Sequence, residues 1–184
     1  MHINTILSFH PIWIISLNQT SNTNINFKQL IPIQWQLVLI NEGSFTQNLN
    51  CLTGMKTQII IQQKFNFSQS HNKNIRNIRC IWLETSIYTK LTFARSLWFF
   101  TGIDQIYVKL NQKKPIGNLF IKSQADIHKF VQEIYYGYCK YLEKSFNIPR
   151  PIWGRKCLLY YQGQTYAIIQ EFFSPYILHF FYLP

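Results

Sequence analysis

Residues 151–175 read PIWGRKCLLYYQGQTYAIIQEFFSP. Two runs, 156–162 and 164–173, are rich in aromatic and β-branched residues and flank Gly163, which predicts a β-hairpin. Glu171 interrupts the second run, Tyr166-Ala167-Ile168-Ile169-Gln170-Glu171-Phe172-Phe173. The chain has seven acidic residues against eighteen Lys and Arg, so an acid in so apolar a run needs a reason. Burying a carboxylate is costly unless a partner pairs with it or a reaction uses it. Two readings stand: an acid at a strand edge in solvent, or a group facing a ligand. Trp153-Gly154-Arg155-Lys156 leads basic charge into the hairpin and reads first as a turn with surface charge.

Outward from this hairpin, residues 57–65, 76–86 and 90–99 have the same strand texture. The last two join tightly around Tyr88-Thr89, and residues 66–74 form a polar turn. In 76–86 the period of two puts Arg79, Ile81 and Leu83 on one face and Cys80, Trp82 and Glu84 on the other. Arg79 is a second misfit. It is either a solvated charge, a partner of Glu84 or Glu171, or a bidentate anchor for a carboxylate.

Pro32 suits the first turn of a helix over 33–40. Ser44 can cap a second helix to about Leu52, closed by Gly54. Residues 101–112 read as a short helix, followed by the turn Lys113-Lys114-Pro115-Ile116-Gly117, whose backbone amides could grip an anion. Residues 125–136 suit either state: Ile127, Phe130, Val131 and Ile134 lean helical, while 130–136 also suits a strand. Residues 141–146 read as a helical turn. The polar patch 21–26 separates an N-terminal arm, 1–30, from a body, 31–184. The order predicts one α+β domain with a mainly antiparallel sheet.

Apolar residues make up 47 % of the 184, enough for a real core, and the net charge of +11 points to an anionic partner. The abundance of Ile, Asn, Lys, Phe and Tyr fits AT-rich codons. That weakens a nucleic-acid inference and suggests a plastid or similarly reduced genome. The four cysteines, Cys51, Cys80, Cys139 and Cys157, lack metal-ligand spacing and read as free thiols in a reducing compartment. No signal peptide or membrane span is expected, and no phosphate-binding, dinucleotide or zinc-protease signature occurs.

Three segments in order, RCIWLETSIYTKLTFARSL, KKPIGNLF and IWGRKCLLYYQGQTYAIIQEFFSP, resemble chorismate lyase, and most of all its relatives in cyanobacteria and algal plastids. The resemblance spans residues 33–182. It implies a six-stranded antiparallel sheet with helices, in which 125–136 is strand. It also implies cleavage of chorismate to 4-hydroxybenzoate and pyruvate, without metal or organic cofactor, feeding quinone biosynthesis. By the same resemblance Arg79, with Arg76 as the competing register, holds the ring carboxylate with backbone amides at Ile116, beside Gly117, and near Phe45. Glu171 meets the ring hydroxyl, and Arg155 is offered to the enolpyruvyl carboxylate. Arg79 and Glu171 would carry the catalysis. The expected partners are these small molecules, with no nucleic acid and no membrane span, acting on a monomer in the plastid stroma or a cyanobacterium-like cytoplasm.

Two other classes compete. The same fold serves as an effector-sensing module, which would bind an aromatic carboxylate without turnover; the residues ahead of the domain read as no helix-turn-helix, so that role is not expected. A basic nucleic-acid binder with stacking aromatics is the third reading. Its charges would cluster, whereas here they are spread along the chain. Formation of 4-hydroxybenzoate from chorismate separates the first reading from both.

Overall fold

The computed structural model describes residues 8–17, 30–68, 74–86, 90–101 and 127–182. Seven strands, β1 (His10–Ser16), β2 (Gln58–Ser68), β3 (Asn74–Glu84), β4 (Lys90–Thr101), β5 (Ile127–Tyr138), β6 (Ile152–Tyr161) and β7 (Gln164–Phe173), form one sheet. Its order is β1-β5-β6-β7-β4-β3-β2, and every neighbouring pair is antiparallel. The helices are α1 (Ile33–Leu39), α2 (Phe45–Thr53) and α3 (Lys140–Phe146), followed by a 3-10 helix, Pro175–Phe181. The fold is α+β, as expected.

The two sheet faces carry different cores. On one face α1, α2 and the 3-10 helix bring Trp35, Leu39, Leu49 and Ile177 onto Leu83, Val131, Ile134, Trp153 and Phe173. On the other, Leu142 and Phe146 of α3, with Phe9, cover Cys80, Trp82, Phe93, Tyr135 and Phe172. This division follows the alternation read from residues 79–83: Ile81 and Leu83 belong to the first core, Cys80 and Trp82 to the second. Three cysteines are buried, Cys51 is exposed, and all four are free thiols.

Where the helical lean of residues 125–136 met the structure, the strand won. The backbone of β5 is paired with β6 along nearly its whole length and, from Glu133 to Tyr138, with β1 as well, which satisfies N–H and C=O groups that a helix would otherwise satisfy. A bulge between Val131 and Glu133 explains the misleading spacing. One extra residue puts Val131 and Ile134, three positions apart, in the same core cluster and so imitates a helical period.

The sheet has one strand more than the six implied by the resemblance. β1 comes from the N-terminal segment, and its Pro11 is tolerable because β1 is an edge strand. The strand read as 57–65 runs on to Ser68 and the next begins at Asn74, so the polar turn is shorter than expected. Ser44 does stand at the N-cap of α2, but without a side-chain capping bond, and Gly54 ends the helix at φ 66°. Thr101, read as the first residue of a helix, is instead the last of β4, and the rest of that helix and its turn, 102–117 with Ile116 and Gly117, lie outside the described residues. So do the loop 21–26 and the hairpin turn at Tyr88-Thr89.

Candidate functional site

β6 and β7 form the predicted hairpin. Gln162 and Gly163 both have positive φ, 50° and 76°, the backbone of a two-residue type I′ turn. Near this turn the ladder pairs Tyr160 with Thr165; a bulge then shifts it so that Leu159 pairs with Ala167 and Arg155 with Glu171. The bulge puts Glu171 directly opposite Arg155 and on its face.

Trp153-Gly154-Arg155-Lys156 is therefore no surface turn. It lies in a central strand, and Arg155 is 0 % exposed. The chain runs through it as strand because Gly154 leaves room for a neighbour: a Cβ there would lie 2.7 Å from Phe172 Cδ1 and 2.8 Å from the Glu171 carbonyl oxygen.

The Arg155 guanidinium joins the sheet to the helical layer. Nε donates to Glu171 Oε2 at 2.6 Å. Nη1 donates to the carbonyls of Val38, Leu39 and Asn41 at 2.9, 3.1 and 2.8 Å. Val38 and Leu39 are the last residues of α1 and Asn41 lies just beyond its C-cap, Ile40; carbonyls at a helix C-terminus lack intrahelical donors, and a cation is favoured there. The rings of Phe45 and Phe173 flank the guanidinium, with centroids 5.3 and 5.4 Å from Cζ.

Burial alone would push the Glu171 carboxyl up, but Arg155 and then Lys129 outweigh it and hold it below the usual carboxylate range. Burial likewise lowers Arg155, and the charge of Glu171 reverses this and raises it. Glu171 is thus an anion and an acceptor, and Oε1 is bonded by no described residue. A carboxylate with a depressed folded pKa adds stability above its unfolded value, 4.5, and that stability is lost as pH falls through the folded value. Melting temperatures from pH 7 to 3 should therefore drop more steeply below about 4.5 for the wild type than for Glu171→Gln. Parallel profiles would mean that Glu171 is not the charged partner of Arg155.

Arg79 lies on the same sheet face. It pairs with Ser96 of β4, and Ala94 of β4 pairs with Glu171. One intervening strand and one two-residue step separate Arg79 from Glu171, a Cα distance on the order of 12 Å. Between them Ala94 and Ser96, both buried, offer only small side chains. Arg79 is 2 % exposed, yet Nε, Nη1 and Nη2 have no hydrogen-bond partner among the described residues. Burial lowers its pKa, although a guanidinium stays protonated. Neither Glu84 nor Glu171 is its partner. Arg76, the competing register, is exposed and on the opposite face.

Phe45 is the first residue of α2, where helix geometry leaves N–H groups without intrahelical acceptors. The structure so brings Arg79, Glu171, Arg155 and Phe45 to one face; Ile116 and Gly117 lie outside the described residues. The enolpyruvyl role given to Arg155 meets a guanidinium already engaged at Nε and Nη1, with Nη2 left over. One residue escaped the sequence reading. Lys129 of β5 donates from Nζ to the Gly43 carbonyl at 3.2 Å and is, after Arg155, a second cation acting on Glu171. Its only signal was its place in a segment that had leaned towards helix. Among the described residues no group of three or more His, Cys, Asp and Glu could hold a metal ion. No helix among them is long and apolar enough to cross a membrane.

Comparison with known proteins gives these residues a family. The uncharacterised protein ycf21 of Antithamnion sp. is 40 % identical over 175 residues, covering 95 % of each chain. That of Porphyra purpurea is 37 % identical over 152 residues, covering 82 % of this chain and 86 % of its own. These relatives are ycf21 proteins of algal plastid genomes. A solved ligand-binding domain from Bordetella bronchiseptica, assigned to the GntR family of transcriptional regulators, superposes with a TM-score of 0.46 at 9 % identity, covering 65 % of this chain and 85 % of that one. The family model described as chorismate pyruvate-lyase Rv2949c-like matches residues 39–181. The chain belongs to the Rv2949c-like chorismate pyruvate-lyase family.

Proposed function

We propose that the protein converts chorismate to 4-hydroxybenzoate and pyruvate, without metal or organic cofactor, in the plastid stroma, where the product feeds quinone biosynthesis. The observation that carries this reading is the presence of two buried, opposite and unequally satisfied charges on one sheet face. Arg79 has no hydrogen-bond acceptor among the described residues, and Glu171 keeps one oxygen unbonded by them. A flat molecule with a carboxylate at one end and a hydroxyl at the other would satisfy both.

In this reading Arg79 grips the ring carboxylate, helped by backbone amides at Phe45 and at Ile116, beside Gly117. Glu171 accepts a hydrogen bond from the ring hydroxyl, and Arg155 is a positioning residue that fixes the carboxylate. The C3–O bond to the enolpyruvyl group breaks and the C4 hydrogen is lost. The ring becomes aromatic, and enolpyruvate takes up a proton to become pyruvate. Aromatisation makes the step downhill, so orientation and stabilisation of shifting charge are what the protein must supply.

Purified protein incubated with chorismate should yield 4-hydroxybenzoate by chromatography, with the rate unchanged by a chelator. Loss of activity with chelator and its return with added metal would overturn the cofactor-free claim. Tight binding of 4-hydroxybenzoate without turnover would make the protein a binding module instead.

A further inference from the structure

We propose that Lys129 holds the second carboxylate of the substrate, the one on the side arm, and so selects dicarboxylates over aromatic monocarboxylates. The proposal rests on the reading above and completes it, because the residue offered for that carboxylate is largely occupied. Arg155 spends Nε on Glu171 and Nη1 on three carbonyls, leaving Nη2. A substrate carboxylate that drew Arg155 away would unpair Glu171 and uncap α1 at once. Nη2 alone offers no bidentate grip with Nε or Nη1, and a second cation nearby can hold that carboxylate without breaking either contact.

Lys129 is placed for it. It precedes Val131 by two positions on β5 and pairs with Leu159, two positions beyond Cys157 on β6; Val131 and Cys157 both belong to the core on the Arg155 face. Its Nζ reaches the Gly43 carbonyl in the segment that links α1 to α2, two residues from Asn41, whose carbonyl receives Arg155. Two residues span at most about 7 Å of chain, so Lys129 and Arg155 hold neighbouring points of one short loop from the same side. An ammonium has three donors and Gly43 takes one, so donors remain for a ligand.

The charge count agrees. Arg79, Arg155 and Lys129 outnumber the acids near them, Glu171 and Glu42, so this face carries a net positive charge that the carboxylates of a ligand offset. The free protein shows the corresponding cost: burial lowers the Lys129 pKa despite the opposing pull of Glu171. An incoming carboxylate would reverse that shift.

The competing role is purely structural, with Lys129 as a clamp on the loop through Gly43. Lys129→Gln separates the two, since its amide keeps a donor for the Gly43 carbonyl and loses only the charge; Lys129→Arg restores the charge. Binding is measured by calorimetry with 4-hydroxybenzoate and with the unreactive dicarboxylate 3-carboxymethoxy-4-hydroxybenzoate, after circular dichroism melting of each variant. Lys129→Gln should weaken the dicarboxylate roughly tenfold or more and 4-hydroxybenzoate by no more than about twofold, with Lys129→Arg recovering most of the loss. Equal weakening of both ligands, or of neither, overturns the assignment and leaves the lyase reading standing. Failure of the wild type to bind either ligand overturns both.

Discussion

Arg79→Met is expected to weaken 4-hydroxybenzoate binding by about 2–5 kcal/mol, the range for truncating one partner of a desolvated charge pair, and yet to raise the melting temperature of the ligand-free protein. Both halves come from one observation. The guanidinium is 2 % exposed, and its three nitrogens have no acceptor among the described residues. A buried charge without a partner destabilises the fold that holds it, and methionine fills a comparable volume without that penalty. Sites kept ready for a ligand commonly trade stability in this way. Melting with and without ligand checks it: the variant should melt higher than wild type alone and gain little when 4-hydroxybenzoate is added. A variant that melts lower in the free state would mean that Arg79 has a structural partner, and the carboxylate role would fall.

At Arg155 the sign is opposite. Arg155→Met should cost about 3–5 kcal/mol of stability, because it strands Glu171 as a buried unpaired carboxylate and releases the carbonyls of Val38, Leu39 and Asn41. Adding Glu171→Gln to it should restore part of the loss, since the stranded charge goes too, whereas the single variants of two independent residues would simply add. Denaturant unfolding of the two singles and the double closes the cycle. Additivity within about 0.5 kcal/mol would show that the pair is uncoupled. For catalysis, Glu171→Gln should lower kcat more than it weakens product binding, as expected for a charge whose interaction strengthens in the transition state. Wild-type turnover in that variant would leave Glu171 a structural residue only.

The sequence by itself determined a good deal here. Alternation in residues 79–83 put Arg79 on the face of Ile81 and Leu83, away from Trp82, because side chains in a strand have no other choice. Gly163 was legible as the turn of a hairpin, although Gln162, read as strand, shares that turn at positive φ, and Pro32, Ser44 and Gly54 marked the ends of α1 and α2. A lone acid in an apolar run announced that something had to compensate Glu171. What compensates it, only the tertiary structure decided. Counted straight back from the turn, Tyr161 with Gln164 and Tyr160 with Thr165, the hairpin would pair Arg155 with Gln170 and turn Glu171 to the other face. The bulge that inserts Tyr166 moves the register by one residue and brings Glu171 opposite Arg155. A second bulge, in β5, made a strand look helical and so concealed Lys129. Bulges leave little trace in a local pattern, because the packing of both sheet faces together fixes them. The carbonyls that receive Arg155 lie more than a hundred positions away in sequence, and no local pattern specifies a bond of that span.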